Sequence, residues 1–359
     1  MTSSYKRIVV KIGSNVLTQP DGLPDHGRIA HLVDQIVTLK KQGITVVVVS
    51  SGAVASGRSM ISISEKHDAI ASRQLLASIG QIKLINTYLS LFEKQQMLCS
   101  QVLVTKEDFR DRKHYLNIKS CLSILLKHQV VPIVNENDVV SVTELMFTDN
   151  DELAGLVASM LDADALIILS NVNGIYNGDP KSPGSVVIER IEDNIAGISG
   201  FVTKAKSGAG RGGMVTKLGM AQKVAKLGIP VHIANGTLDG VLTSLLDNTL
   251  VHTYFVPDKI TSGKKKWIAH SEHSATGSVK LNAGAAAVLR SGEARSLLPV
   301  GIISVPSSFE KGDIIRLLDD KEILIGLGIA EYSAEKARER TGQKGQKPLV
   351  HYNYFYAVS

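Results

Sequence analysis

Up to about residue 235, apolar residues occur in two recurring forms. One is a short unbroken run rich in valine and isoleucine; the other is a longer stretch with an apolar residue every three or four positions. The short runs at 6–12, 44–49, 98–104, 130–134, 165–169 and 231–234 predict strands. Ile44 to Val49 is β-branched almost throughout, as a strand covered on both faces requires. Between the runs, Ile29, Leu32, Val33, Ile36 and Val37 fall on one helical face, with Asp25 placed to cap the helix and Gly43 to close it. Further helices are expected near 69–95 and 113–128, up to Leu161, and from Met214 to Leu227. Strands alternating with helices predict an α/β fold, an open mostly parallel sheet with helices on both faces.

From Pro257 to about Ala275 this pattern breaks down, and the run Lys264-Lys265-Lys266 precedes the single tryptophan, Trp267. The expected organisation is therefore a first domain over 1–257, a linker over 258–275 and a second domain over 276–359. Short alternating segments bounded by glycine, at 279–281, 301–305, 313–318 and 323–329, predict a small β-barrel for the second domain.

Composition narrows the class. The chain has 359 residues, of which 44% are hydrophobic and 21% charged, enough for two cores of ordinary globular type. A net charge of +6 is a mild bias toward anionic ligands. No uninterrupted apolar run approaches the ~20 residues of a membrane span, and Met1 to Lys6 leads straight into a strand, so a cytoplasmic location without membrane attachment is the expectation. Cys99 and Cys121 lie in apolar patterns without metal-ligand spacing, and read as buried reduced thiols.

In parallel sheets of this kind ligands bind beyond the carboxyl ends of the strands. Those ends here carry Gly13, Ser51-Gly52-Ala53, Asn135 to Asp138, and Ser170-Asn171. Lys11 sits inside an apolar strand and needs a partner anion. Ser207 to Lys217 is glycine-rich and opens a helix: its backbone N–H groups, the positive helix end and Lys217 together suit a triphosphate, although its spacing is not that of the Walker loop. Asp138, Asp149 and Asp151 make the acidic side of the same rim. They could orient the lysines, hold Mg²⁺ directly or through water, or bind a substrate ammonium, and Asp149 or Asn150 could simply cap the next helix. The ten histidines form no constellation with serine or cysteine, so a nucleophilic triad is not expected. Two lysines over a phosphoryl group point instead to phosphoryl transfer, which is largely positioning and charge neutralisation.

Five stretches carry a likeness over essentially the full chain: Val9 to Ser14, Val49 to Gly57, Pro132 to Asp138, Asp149-Asn150-Asp151 and Gly212 to Lys217. On these the chain resembles the amino-acid kinase family, and Pro132 to Asp138 with Asp149 to Asp151 resembles its glutamate-phosphorylating members in particular. Ser296 to Gly301 through Phe309, Gly312-Asp313 and Ile325 to Gly328 resemble a PUA domain. The resemblance implies an ATP- and Mg²⁺-dependent kinase that converts L-glutamate to L-glutamyl 5-phosphate, the first step toward proline. It implies Lys11, Lys217 and Asp151 as catalytic residues and Ser51, Gly52, Ala53, Asp138 and Asn150 as substrate-binding. The implied ATP contacts are Lys11, Ser170, Asn171, Gly212, Gly213, Met214, Val215, Thr216, Lys217 and Leu218; no direct metal ligand is assigned. It also implies L-proline as feedback inhibitor; a homo-oligomer is expected because exposed apolar helix faces in such sheets often pair. One departure stands out: Ser170-Asn171 replaces a commoner Thr-Asp and removes a negative charge near the nucleotide. The alternatives are kinases of acetylglutamate, aspartate, carbamate or UMP, and an RNA-binding PUA protein. RNA is not expected as the main partner, since the second domain lacks aromatic platforms for stacked bases.

Overall fold

The structure, a computed structural model, describes residues 5–63, 68–140, 150–192, 214–258, 263–271, 275–291 and 295–358. It divides into two compact units, Met1–Ile260 and Thr261–Ser359.

The first unit contains β1 (Arg7–Ile12), α1 (Ser14–Leu17), α2 (His26–Lys41), β2 (Thr45–Ser50), α3 (Ala53–Arg58), α4 (Ala69–Lys94), β3 (Cys99–Val104), α5 (Lys106–Arg110) and α6 (Arg112–Lys127). It continues with β4 (Val131–Glu136), α7 (Asn150–Met160), β5 (Ala165–Ser170), β6 (Arg190–Ile191), α8 (Met214–Lys226), β7 (Val231–Asn235), α9 (Val241–Leu246) and β8 (Thr253–Phe255). The eight strands form one sheet in the order β3-β4-β2-β1-β5-β7-β8-β6. All pairings are parallel except β7 with β8, which makes the sheet mixed. The strands β6 and β8 are two and three residues long, too short to leave a periodic signal.

Both faces of the central strands are covered. Ile8, Val10 and Ile12 of β1 join a core with Leu32, Val33 and Ile36 of α2, Leu84, Tyr88 and Phe92 of α4, and Val241 and Leu245 of α9. Strand alternation sends Val9 and Lys11 to the opposite face, where α7 packs against β1, β2, β4 and β5. Asp25 does cap α2, accepting a hydrogen bond from the Arg28 amide at 2.8 Å. Among the described residues α4 is the one helix long and apolar enough to cross a membrane by composition, but Leu76, Ala77, Leu84, Tyr88 and Phe92 are buried in the core. The cysteines depart from expectation: Cys121 is exposed and Cys99 half-buried. Cys121 lies on the outer side of amphipathic α6, whose buried positions are Tyr115, Leu122 and Leu126.

The second unit contains α10 (Gly263–Ala269), β9 (Gly277–Leu281), α11 (Ala283–Arg290), β10 (Ile302–Ser304), β11 (Ile314–Leu318), β12 (Leu324–Ile329), α12 (Ala334–Arg340) and β13 (Phe355–Ala357). Its strands pair as β10-β9-β11-β12-β13, an open row in which no described pairing joins the ends. Val279, Leu281, Ile315, Leu317 and Ile325 fill its core. Within the stretch read as a linker, α10 is a helix that contacts β12 and β13 and buries Trp267 and Ile268. The linker reading missed it because seven residues with three consecutive lysines show no apolar period. Lys264 lies 4.6 Å over the Tyr354 ring and donates to its hydroxyl at 3.2 Å, while Lys266 is buried.

Candidate active site

Parallel register brings the carboxyl ends of β1, β2, β4 and β5 to one rim: Ile12 pairs with Ser50 and with Leu169, and Val49 with Val134. The residues just beyond these ends, Gly13, Ser51, Asp138 and Asn171, therefore share an edge of the sheet.

Lys11, one residue before the end of β1, projects from the face that α7 covers. Asp151, in the first turn of α7, is completely buried and receives it: Lys11 Nζ lies 2.6 Å from Asp151 Oδ1. Lys217 of α8 reaches the other oxygen, with Nζ 2.8 Å from Oδ2. Side-chain exposure is 5% for Lys11, 12% for Lys217 and 0% for Asp151, so all three charges are largely withdrawn from water. Burial pushes the Asp151 carboxyl upward, but the Lys11 and Lys217 ammonium groups outweigh this and hold it below the ordinary carboxylate range. Two cations on one carboxylate leave a net positive charge, which suits a phosphoryl group and would be repulsive without it.

Beside Asp151, Asn150 starts α7. Its Nδ2 lies 3.0 Å from Ser51 Oγ, 3.0 Å from Asn135 Oδ1 and 3.2 Å from the Ser50 carbonyl, tying the ends of β2 and β4 to the helix. Asn135 in turn donates to Gln81 Oε1 at 2.9 Å. The β2–α3 turn is held from below: the Ser50 hydroxyl donates to the Ser51 carbonyl at 2.9 Å, and the Tyr88 hydroxyl lies 2.9 Å from Ser50 Oγ. Burial pushes the Tyr88 hydroxyl up to about 12, so it keeps its proton and can donate to Ser50. Gly52 has φ 109°, a left-handed conformation that lets the chain turn directly into α3, while Ala53 is buried at its start. Asp138 is buried just past β4, and Arg73 of α4 binds it, with Nε at 2.8 Å and Nη2 at 2.6 Å from Oδ1.

Ser170 is buried at the end of β5, where its carbonyl accepts from the Gly236 amide at 2.8 Å; Asn171 is exposed. Met214, Val215, Thr216, Lys217 and Leu218 form the first turns of α8. Asp149, Gly212 and Gly213, with the rest of the glycine-rich loop at 207–213, lie outside the described residues. So the structure brings Lys11, Asp151 and Lys217 together, joins Ser51 to Asn150, and links these through Asn135 to the strand end that carries Asp138. Arg73, Gln81 and Tyr88 were missed by sequence reasoning. All three lie within the apolar-periodic helix α4, where nothing in the spacing separates a rim residue from a solvent-facing one.

A family model described as the amino acid kinase family matches residues 6–235, and a model of the PUA domain matches 277–352. A glutamate 5-kinase of Bacteroides thetaiotaomicron is 51% identical over 360 residues, covering 99% of each chain. A glutamate 5-kinase of Chlorobaculum tepidum is 49% identical over 355 residues, covering 99% of this chain and 98% of its own. Among solved structures, carbamate kinase from Giardia lamblia bound to AMP-PNP superposes with a TM-score of 0.51 at 19% identity, over 71% of this chain and 99% of its own, a likeness of fold alone. With a family model covering most of the chain and half-identical relatives matching it end to end, the chain belongs to the amino acid kinase family, its kinase domain followed by a PUA domain.

Proposed function

We propose that this chain transfers the γ-phosphoryl group of ATP to the side-chain carboxylate of L-glutamate, giving L-glutamyl 5-phosphate in the first step of proline biosynthesis. The observation that carries this reading is the buried Lys11–Asp151–Lys217 constellation, in a chain similar over its whole length to glutamate 5-kinases. The acceptor carboxylate is already ionised at neutral pH, so the reaction needs no general base to create its nucleophile. What opposes it is repulsion between that carboxylate and the triphosphate. Lys11 and Lys217 answer this, flanking the phosphoryl group as negative charge moves from acceptor to leaving oxygen, with Asp151 fixing their spacing. Ser51, Gly52, Ala53, Asp138 and Asn150 hold the amino acid. Ser170, Asn171 and residues 212–218 hold the nucleotide.

Mg²⁺ belongs to this reading as the usual companion of a triphosphate, where it neutralises phosphate charge. Among the described residues no three His, Cys, Asp or Glu side chains cluster to hold a metal, and Asp151 is committed to two ammonium groups. The donor set thus fits a cation that arrives on the nucleotide.

Residues 1–257 are read as the kinase domain and 276–359 as a PUA-like domain whose strands close into a barrel. A homo-oligomer is supported by exposed apolar residues about the edge strand β3: Ile82 and Leu89 of α4, Leu98, Leu103, and Leu116 and Ile124 of α6. L-proline remains the proposed feedback inhibitor, and RNA is not proposed as a main partner.

The test is ATP-dependent acyl phosphate formation, trapped as the hydroxamate, with L-glutamate against L-aspartate and N-acetyl-L-glutamate, and with UMP followed by ADP release. A signal confined to L-glutamate is expected. A signal with another acceptor and none with L-glutamate would reassign the substrate within the family.

A further inference from the structure

We propose that Arg73 is a specificity-determining residue that takes the α-carboxylate of the amino-acid substrate, side by side with Asp138 taking the α-ammonium. The inference rests on the reading above, in which Asp138 meets the substrate.

Arg73 and Asp138 form a pair with unequal use of their polar atoms. Both Nε and Nη2 of the guanidinium converge on a single carboxylate oxygen, Asp138 Oδ1, at 2.8 and 2.6 Å. Nη2 also lies 3.5 Å from Glu136 Oε2. Among the described residues no hydrogen-bond partner falls to Arg73 Nη1 or to Asp138 Oδ2. An Arg–carboxylate pair built only to hold two elements together would be expected to use two parallel N–H···O bonds to both oxygens. Here the pair keeps back one cationic donor on the guanidinium and one anionic acceptor on the carboxylate it binds. That is the complement of a carbon bearing both an ammonium and a carboxylate, as the α-carbon of a free amino acid does.

Burial and placement agree. Asp138 has 7% of its side chain exposed and Glu136 4%, while Arg73 has 29%, so the carboxylates are sunk in the rim and the guanidinium borders it. A pair exposed on both sides would contribute little to anything; this one is sunk in the rim, where the guanidinium offsets part of the cost of desolvating Asp138. Asp138 stands three residues past Asn135, which contacts Asn150, and Asn150 precedes Asp151 at the two lysines. The zwitterion-binding pair and the phosphoryl-binding lysines therefore stand on one connected stretch of the rim, the arrangement called for by a substrate whose reacting carboxylate lies two methylenes from its α-carbon. A lysine at position 73 would supply a point charge without the planar fork that can hold Asp138 on one edge and a second carboxylate on another.

The test compares the wild-type chain with Arg73→Ala, Arg73→Gln and Arg73→Lys against three compounds, each as substrate or as competitive inhibitor of L-glutamate phosphorylation. L-glutamate has both α-groups, glutarate lacks the ammonium, and 4-aminobutyrate lacks the α-carboxylate. Arg73→Ala is expected to weaken L-glutamate and glutarate together by about tenfold to a hundredfold, the worth of one charged hydrogen-bonded contact. It should leave 4-aminobutyrate within about threefold and the KM for ATP unchanged, with Arg73→Lys recovering part of the loss. Asp138→Asn should show the reverse selectivity, weakening L-glutamate and 4-aminobutyrate but sparing glutarate. Equal weakening of all three compounds by Arg73→Ala would overturn the proposal and leave Arg73 as a brace for Asp138, and so would no weakening of any. Should Arg73→Ala fail to fold by its melting curve, Arg73→Gln carries the same comparison. If the wild-type chain phosphorylates no L-glutamate, the parent reading fails by itself. Calorimetric titration of L-glutamate and L-aspartate into wild type and Arg73→Ala then decides the contact, binding lost in the variant sustaining it and binding to neither chain overturning it.

Discussion

Lys11 and Lys217, more than two hundred residues apart in the chain, bind opposite oxygens of the same buried carboxylate, at 2.6 and 2.8 Å. The arrangement fixes the separation of two ammonium groups before any nucleotide arrives, which is the preorganisation that charge-stabilised transfer depends on. Lys11→Ala and Lys217→Ala should each lower kcat by roughly a hundredfold to a thousandfold while changing the KM for L-glutamate only a few-fold. Steady-state kinetics with L-glutamate and ATP varied in turn checks this; a large rise in KM at unchanged kcat would make the lysines binding groups only.

At the other end of the sheet, His232 in β7 is buried between Tyr5 and His252. Its Nε2 lies 3.1 Å from the Tyr5 hydroxyl and its Nδ1 2.9 Å from His252 Nε2. Burial, reinforced by His252, pushes the His232 imidazole down to about 3. A base whose folded pKa lies below its unfolded value of 6.5 is protonated first in the unfolded chain. Stability therefore falls as pH drops below that unfolded value, and continues to fall until the folded value is reached. Relative to His232→Gln, the wild-type chain should lose on the order of 1.4 kcal/mol per pH unit between about pH 6 and 4. Urea unfolding at stepped pH measures the difference, and parallel curves for the two chains would show that His232 is not the titrating group.

Much of this architecture is legible because the strands that matter are long and doubly covered. Ile44 to Val49 could hardly be anything but a buried strand, and a lysine inside the equally apolar run of β1 announces an anion, which Asp151 supplies. Strand-end polar residues follow from the same topology, so Ser51 and Asp138 stand out before any coordinates, whereas Asn150, at the start of a helix, enters only through the family resemblance. Arg73 does not, because a helix of the length of α4 carries charged residues on its outer face as a matter of course, and only folding shows which one meets Asp138. Nor do β6 and β8, whose two and three residues carry no period, although β8 is the strand that turns the sheet from parallel to mixed. The helix α10 is hidden for a different reason: its lysine run masks a buried apolar end made of Trp267, Ile268 and Ala269.

That helix changes where the chain can be cut. Trp267 and Ile268 are 5% and 0% exposed, in a helix that contacts β12 and β13, so a chain ending at residue 275 would carry them without those strands. Residues 1–260 should give a monodisperse, cooperatively unfolding kinase unit, and residues 1–275 a more aggregation-prone one. Light scattering and thermal unfolding of the two truncations decide it. Equal behaviour would mean that α10 needs no cover from the second unit.

The substrate-side turn depends on a contact between two helices that leaves no space for a side chain. A Cβ on Gly80 of α4 would stand 1.9 Å from the Ala53 carbonyl oxygen, and one on Gly57 of α3 would stand 2.0 Å from the Leu76 carbonyl oxygen. Each obstacle is backbone, so an added methyl cannot be absorbed by a side-chain rotation and must separate α3 from α4. Because Gly52 and Ala53 lead into α3, that separation moves the turn next to Ser51 and Asn150. Gly80→Ala should cost about 1–3 kcal/mol of stability, as overpacking in tight cores does. It should also raise the KM for L-glutamate while leaving the KM for ATP near its wild-type value, since β5 and α8 lie on the far side of β1 from β2. Denaturant unfolding and paired KM measurements test both halves. A variant that is less stable yet binds L-glutamate as before would show that α3 can shift without carrying the turn with it.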